Sequence, residues 1–199
     1  MKLYLWEKGR ACTQLLATAM VLSVLFAASQ ASAQGNQQTS QFKSEGWVGG
    51  AYNSTITREF SYCVASTKYD TGTQLAFVLY GTNVLQLMLA NSDWDLEGIP
   101  EYDINIQVDD GHLGKFNART TQGDTLLIQI GDKADHWDVF RSGSYLVVNP
   151  GPDALVFKLT GAKRALDQLG SCVQREMAPP TSRNPFSGAG RTNPFAPHQ

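Results

Sequence analysis

The chain is short of charge, cysteine and histidine, and each shortage narrows what it does. Its 199 residues include 16 Lys and Arg, 18 Asp and Glu, three His and three Cys. Without a basic cluster or basic excess, binding to nucleic acid or to an anionic membrane surface lacks its electrostatic footprint. His112, His136 and His198 are too scattered for a zinc spacing, and no Cys-x-x-Cys pair occurs. No Gly-x-Ser-x-Gly elbow, Gly-x-Gly-x-x-Gly run or phosphate loop appears, so the common marks of serine hydrolases, dinucleotide binders and nucleotide binders are missing. The carboxylate pair Asp109-Asp110 sits at a hairpin turn, where neighbouring side chains diverge and make poor acid–base partners. No catalytic residue, cofactor site or metal site is assigned. Two local acidic groups keep a weak cation reading open: His136 among Asp132, Asp135 and Asp138, and Asp93, Asp95 and Glu97 around Trp94. Neither has the oxygen count or glycine placement of a calcium loop.

Proline is also sparse through the middle of the chain. Five of the eight prolines fall after residue 178. The beginning has a different composition again. Lys2, Lys8 and Arg10 precede an apolar run from Leu15 to Ala28 broken only by Thr18 and Ser23, and Ala31-Ser32-Ala33 offers a small-residue cleavage pattern. Residues 1–33 therefore read as a secretory signal, with a mature start at Gln34. The rival reading is an uncleaved anchor, the one route by which this chain touches a membrane; the strongly apolar part is shorter than the ~20 residues a span needs. Removing the signal leaves 16 − 3 = 13 basic and 18 − 1 = 17 acidic residues, a net charge of −4. It also leaves two cysteines, Cys63 and Cys172. In an oxidising compartment that count points to one disulfide. Closing a loop on the order of 100 residues is worth roughly 4–5 kcal/mol in loop entropy, an upper figure. Reactive thiols are the alternative.

What the chain has in quantity is strand pattern. Polar, Gln-rich residues 34–45 read as a disordered lead-in. Gly46–Tyr52 reads as a Gly-weakened strand, placed at an edge. Phe60, Tyr62 and Val64 alternate with Ser61, Cys63 and Ala65. Leu75, Phe77 and Leu79, then Leu85, Leu87 and Leu89, do the same across a turn at Gly81-Thr82-Asn83. Tyr102, Ile104, Ile106 and Val108 alternate strictly with polar residues, the mark of a strand with one wet face. Asp110-Gly111 and Gln122-Gly123-Asp124 turn the chain into Lys115–Thr121 and Thr125–Ile130. Asp132–Ser142 changes period and fits a short helix. Ser144–Val148 resumes as a strand, and Ala154–Leu159, apolar on both faces, reads as a strand covered on both sides.

After Thr160-Gly161, with Thr160 as the expected N-cap, Ala162, Ala165, Leu166, Leu169, Cys172 and Val173 form one stripe on a helix ending near Met177. Gly170 within it costs about 1 kcal/mol relative to Ala, so a close backbone approach is the expected reason. Residues 177–199 return to Pro, Gly, Ser and Asn and read as a disordered tail. The tail repeats Asn184-Pro185-Phe186 as Asn193-Pro194-Phe195, a candidate partner-binding element. The fold class is mainly β: an antiparallel sandwich or partly open barrel over residues 46–176, closed by a C-terminal amphipathic helix. Strand tyrosines such as Tyr52, Tyr62, Tyr69, Tyr80 and Tyr102 either line a ligand face or pack the sheet.

Around the two cysteines the residues carry a resemblance. FSYCVAS at the first, FKLTGAKRAL ahead of the second, and the early Trp47 and Tyr52 resemble small secreted proteins of Gram-negative bacteria, and among named families the invasion-associated locus B protein family. The resemblance spans about Trp47 to Arg175, and the cysteine arrangement departs from that family. It implies a periplasmic or surface role linked to host contact and offers no catalytic residues. The expectation is an exported, non-enzymatic binding or envelope-associated protein whose partner is another protein or a small apolar ligand. A calycin-like carrier and an extracytoplasmic hydrolase stand as alternatives from other classes; a cavity inside the sheet favours the first, and converging His, Asp and Ser favour the second.

Overall fold

A computed structural model describes residues 35–98, 101–149 and 154–178. The expected signal segment, the predicted cleavage site and the tail triplets Asn184-Pro185-Phe186 and Asn193-Pro194-Phe195 lie outside the described residues. The chain divides into two units, Met1–Ala33 and Gln34–Gln199, and all described residues belong to the second.

Among the described residues eleven strands and two helices follow one another: β1 (Asn36–Gln38), β2 (Phe42–Ser44), β3 (Trp47–Ser54), β4 (Phe60–Lys68), β5 (Gln74–Tyr80), β6 (Leu85–Ala90), β7 (Glu101–Val108), β8 (Gly111–Thr121), β9 (Thr125–Gly131), α1 (Ala134–Ser142), β10 (Tyr145–Asn149), β11 (Leu155–Lys158) and α2 (Ala162–Met177). The strands form one antiparallel sheet in the order β1-β3-β4-β5-β6-β9-β8-β7-β10-β11, and β2 also pairs with β3. The path is continuous, open and not closed by a ladder.

Burial follows the pattern of each strand. In β7, Ile104, Ile106 and Val108 are buried while Asp103, Asn105 and Gln107 are exposed. In β5 every residue from Leu75 to Leu79 is buried, the strand lying mid-sheet between β4 and β6. The inner face of the sheet packs under α2. Trp47 stacks on Phe77 at 5.5 Å and Phe77 meets Phe140 of α1 edge-on at 5.3 Å. The α2 stripe of Ala162, Ala165, Leu166, Leu169, Cys172 and Val173 is buried beside them. Cys172 is joined to Cys63 of β4, S–S 2.06 Å, across 109 residues, with both cysteines buried.

The free ends of the path come together without a ladder. Trp47 Nε1 donates to the Thr160 carbonyl at 2.9 Å. Tyr69, just after β4, donates from its hydroxyl to the Lys158 carbonyl at 2.8 Å and sets its ring 5.1 Å from Phe157. Two aromatic donors and a disulfide thus close a seam that backbone pairing leaves open.

Four expectations change. The lead-in at 34–45 carries β1 and β2, which pair with the two halves of the β3 edge. Between them Thr39 N donates to the Ala51 carbonyl at 2.9 Å, and Ala51 N donates to Ser40 Oγ at 3.0 Å. Composition predicts no core burial there, and β1 is indeed exposed. The unpaired backbone groups of β3 recruit the segment regardless; β3 is therefore not an edge strand. Second, β11 is the edge at the other end of the path, with Val156 61% exposed, so its two apolar faces do not mean two covered faces. Third, Thr160 does not cap α2. The cap position is Gly161, in the left-handed region at φ 79°, with no side-chain cap bond. A Cβ there would fall 2.7 Å from Glu45 Cβ, so glycine alone allows this reversal from β11 into α2. Fourth, no backbone approaches Gly170 closely: a Cβ built on it meets only Trp137 Cζ2, at 3.6 Å.

Candidate functional site

The cysteines expected to pair are spent on structure, being buried and bonded to each other. The acidic groups are likewise committed or open to solvent. Asp109, in the turn after β7, accepts from Ser144 N at 3.0 Å and Tyr145 N at 2.9 Å and fastens the start of β10. His136 Nδ1 lies 3.3 Å from the Ile130 carbonyl, and its ring meets Phe116 edge-on at 5.7 Å. Around Trp94, the loop is organised by Asn91: its Nδ2 donates to Thr73 Oγ1 at 3.0 Å, and its Oδ1 accepts from Asp93 N at 3.0 Å. Among the described residues no three His, Cys, Asp or Glu side chains gather as metal ligands.

The strand tyrosines divide by position. Tyr69 serves the seam, and burial pushes its hydroxyl up to about 12. Tyr52, Tyr62 and Tyr80 form a row across the outer face of β3, β4 and β5, with ring centroids 5.2 and 5.8 Å apart. Burial raises the Tyr62 and Tyr80 hydroxyls above the usual range. The row is cross-strand sheet packing, continued by a bond from the Tyr80 hydroxyl to Gln86 Oε1 at 3.2 Å. Beyond it lies a polar concavity of about 470 Å³ lined by Gln86, Asn117, Arg119 and Gln129, where β6 and β9 shift register.

The apolar concavity lies elsewhere, between α1, α2 and the β5–β6 turn. This groove has a volume of about 390 Å³, within the size range of ligand pockets. Leu79 and Leu85 of the hairpin, Val173 of α2 and Trp137 of α1 form its walls, with Asn83, Asp132, Lys133 and Gln174 at the rim. Each wall has a local cause. Leu79 and Leu85 are Cα partners at the tight end of the β5–β6 hairpin. Val173 is the last residue of the α2 stripe, and Gly170, one turn earlier, has no side chain to fill the space before Trp137.

The two helices that flank the groove are pinned at its far side. Arg141 on α1 pairs with Asp138 at 3.1 Å and with Asp167 on α2 at 2.6 Å, and Lys163 reaches Asp167 at 2.9 Å. The hydrogen bond from Lys163, with that from Arg141 and the charges of both behind it, holds the Asp167 carboxyl below the usual range although desolvation pushes the other way. Only the Arg141–Asp167 pair joins the two helices, the other two lying within α1 and within α2; being partly exposed, each is worth little.

The groove escaped the sequence reading because its walls come from four separate stretches. The one local signal is Gly170, a helix-weakening residue beside an apolar stripe. No family model matches the chain, and no curated relative matches its sequence. Its fold is similar to that in the crystal structure of invasion associated protein B from Bartonella henselae, with a TM-score of 0.50 and 18% identity, covering 69% of this chain and 99% of that one. The resemblance read from FSYCVAS and LTG-x-x-x-AL is thus met by a likeness of fold.

Proposed function

We propose that the chain is an exported, non-catalytic binding protein of the periplasm or cell surface, and that the groove between α1 and α2 receives an apolar group from its ligand or protein partner. The groove itself carries the reading: a concavity with apolar walls, one aromatic ring and a few polar groups at the rim is the usual form of a small-ligand site. The buried disulfide suits an oxidising compartment, as does a start that reads as a signal. The carrier alternative is less well supported. The space under the sheet is taken by Trp47, Phe77, Phe140 and the α2 stripe, so an apolar ligand finds room at the end of the sheet and not within it. For a hydrolase, His136 offers little, since its neighbours are a carbonyl and a Phe ring.

Two measurements test this. Native mass spectrometry of protein recovered from the periplasm should give the mass of a chain starting at Gln34 with one disulfide, together with any retained ligand. Titration with the apolar dye 8-anilinonaphthalene-1-sulfonate should be saturable, with one site and a Kd on the order of micromolar. Gly170→Leu, which fills the groove, should abolish it. Equal dye binding by the native protein and Gly170→Leu sinks the assignment of the groove.

A further inference from the structure

We propose that the groove is docked by this chain's own C-terminal tail, with Phe186 of the first Asn-Pro-Phe triplet entering beside Trp137. The inference rests on the groove being a binding site and names its occupant in the free protein.

The path of α2 brings the tail to the groove. Val173 and Gln174 line it. One turn later Met177 turns back on the β5–β6 hairpin, its Sδ 2.7 Å from where a Gly81 Cβ would stand. Asn83, two residues on from Gly81, is on the groove's rim. The chain therefore leaves α2 at Ala178 beside the opening. From Ala178 back to Gln174 is about 6 Å of helix. Phe186 is eight residues beyond Ala178 and can reach about 26–29 Å when extended, or ~25 Å if the prolines hold it stiff. The opening is well inside that radius.

Composition makes the tail a fitting occupant. Phe186 and Phe195 are its only large apolar side chains after Met177. In each triplet, proline fixes φ just ahead of the phenylalanine and lowers the ordering cost of presenting it. The tail carries Arg183 and Arg191 and no Asp or Glu. Asp132 is exposed on the groove's border beside Lys133, while Asp138 there is already paired with Arg141, so an arginine three residues before Phe186 has the Asp132 carboxylate to meet. A single phenylalanine contact is weak for a free peptide. A short tether supplies an effective concentration on the order of millimolar, which is enough to hold it, and the second triplet gives a replacement at a longer tether.

The test uses the mature full-length protein and the double variant Phe186→Ser/Phe195→Ser, which leaves every described contact in place. Two readouts are taken: the indole N–H signal of Trp137 in a nitrogen–proton NMR spectrum, assigned by its loss in Trp137→Phe, and the Kd for the same dye. Docking predicts that the Trp137 signal moves in the double variant and that the dye binds at least ~3-fold more tightly, because the competitor is gone. The move should be independent of protein concentration. An unmoved Trp137 signal overturns the docking. If the signal is unmoved while the dye still binds and Gly170→Leu still blocks it, the groove remains a binding site without the tail. If the dye fails as well, both readings fall. A shift that grows with protein concentration assigns the groove to the tail of a second copy and overturns docking within one chain.

Discussion

The sheet and the seam that closes it are held by different kinds of bond. Along the path from β3 to β11, neighbouring strands share backbone ladders, seven Cα partners between β4 and β5 and eight between β7 and β8. Where the two ends of the path meet, two side-chain donors act in their place: the Trp47 indole on Thr160 and the Tyr69 hydroxyl on Lys158, 113 and 89 residues apart in sequence. The disulfide from β4 to α2 lies behind them. A ladder loses one bond among many when one residue changes. The seam has few bonds, each from a single side chain, so single substitutions are felt there in full. Fold stability is thus distributed over the sheet and concentrated at the seam.

The largest effect should come from removing the covalent member. Cys63→Ala/Cys172→Ala opens a 109-residue loop and should lower stability by about 3–5 kcal/mol, read from urea unfolding with an unchanged slope in the native limb. A loss under about 1 kcal/mol would mean that the seam is held without the disulfide, and the contrast with the ladders would fail.

A smaller effect separates the two aromatic donors from the ladder. Trp47→Phe keeps a ring on Phe77 but leaves the Thr160 carbonyl without its donor, at a cost of about 1–3 kcal/mol. For Tyr69 the same question is asked by pH. Its folded-state value of about 12 is above the ordinary 10.0 because of burial. Below pH 10 the hydroxyl is protonated in both states, and its contribution is whole. Between pH 10 and about 12 the unfolded chain ionises first, so stability falls as pH rises; solvent screening of this half-buried ring holds the loss to about 1 kcal/mol. Tyr69→Phe should lose its hydrogen bond at neutral pH yet show a shallower alkaline decline. Some decline should remain, because the Tyr62 and Tyr80 hydroxyls are also raised. Thermal unfolding at a series of pH values checks both slopes; an alkaline decline identical in the two proteins would remove Tyr69 from the seam.

The same contrast sorts what the sequence makes legible. Ladder strands write themselves into local pattern: Ile104, Ile106 and Val108 alternate with wet residues, and Leu75 to Leu79 run apolar in a strand buried mid-sheet. The α2 stripe and its end at Met177 follow from a 3.6-residue period and the prolines beyond. Once Cys12 is read as part of a signal segment, the two remaining cysteines have each other as partners, and Cys63 and Cys172 are bonded. The seam is not local. Nothing near Trp47 or Tyr69 in sequence announces a carbonyl a hundred residues away. β1 and β2 are hidden for a related reason, since they are recruited by backbone groups of β3 and not by side chains of their own. Periodicity also overstates β11, whose apolar Val156 faces solvent at the edge. The groove, assembled from β5, β6, α1 and α2, has only Gly170 as a local trace.

Gly170 turns the comparison around, because there stability and the candidate site pull apart. In a helix interior, glycine costs about 1 kcal/mol relative to alanine. At Gly161 the cost is imposed by a left-handed φ and by Glu45, so alanine is excluded. At Gly170 neither reason applies: the backbone is helical, and the nearest atom to an added Cβ is Trp137 Cζ2 at an ordinary contact distance of 3.6 Å. Gly170→Ala should therefore raise stability by about 1 kcal/mol, the smallest change of the series and the only gain. The added methyl faces Trp137 and narrows the groove, so dye affinity should fall as stability rises. Opposite movement of the two readouts is the signature of a residue kept for the opening and not for packing. If Gly170→Ala destabilises the protein, glycine is there to fit α2 against α1, and the groove loses its one independent support.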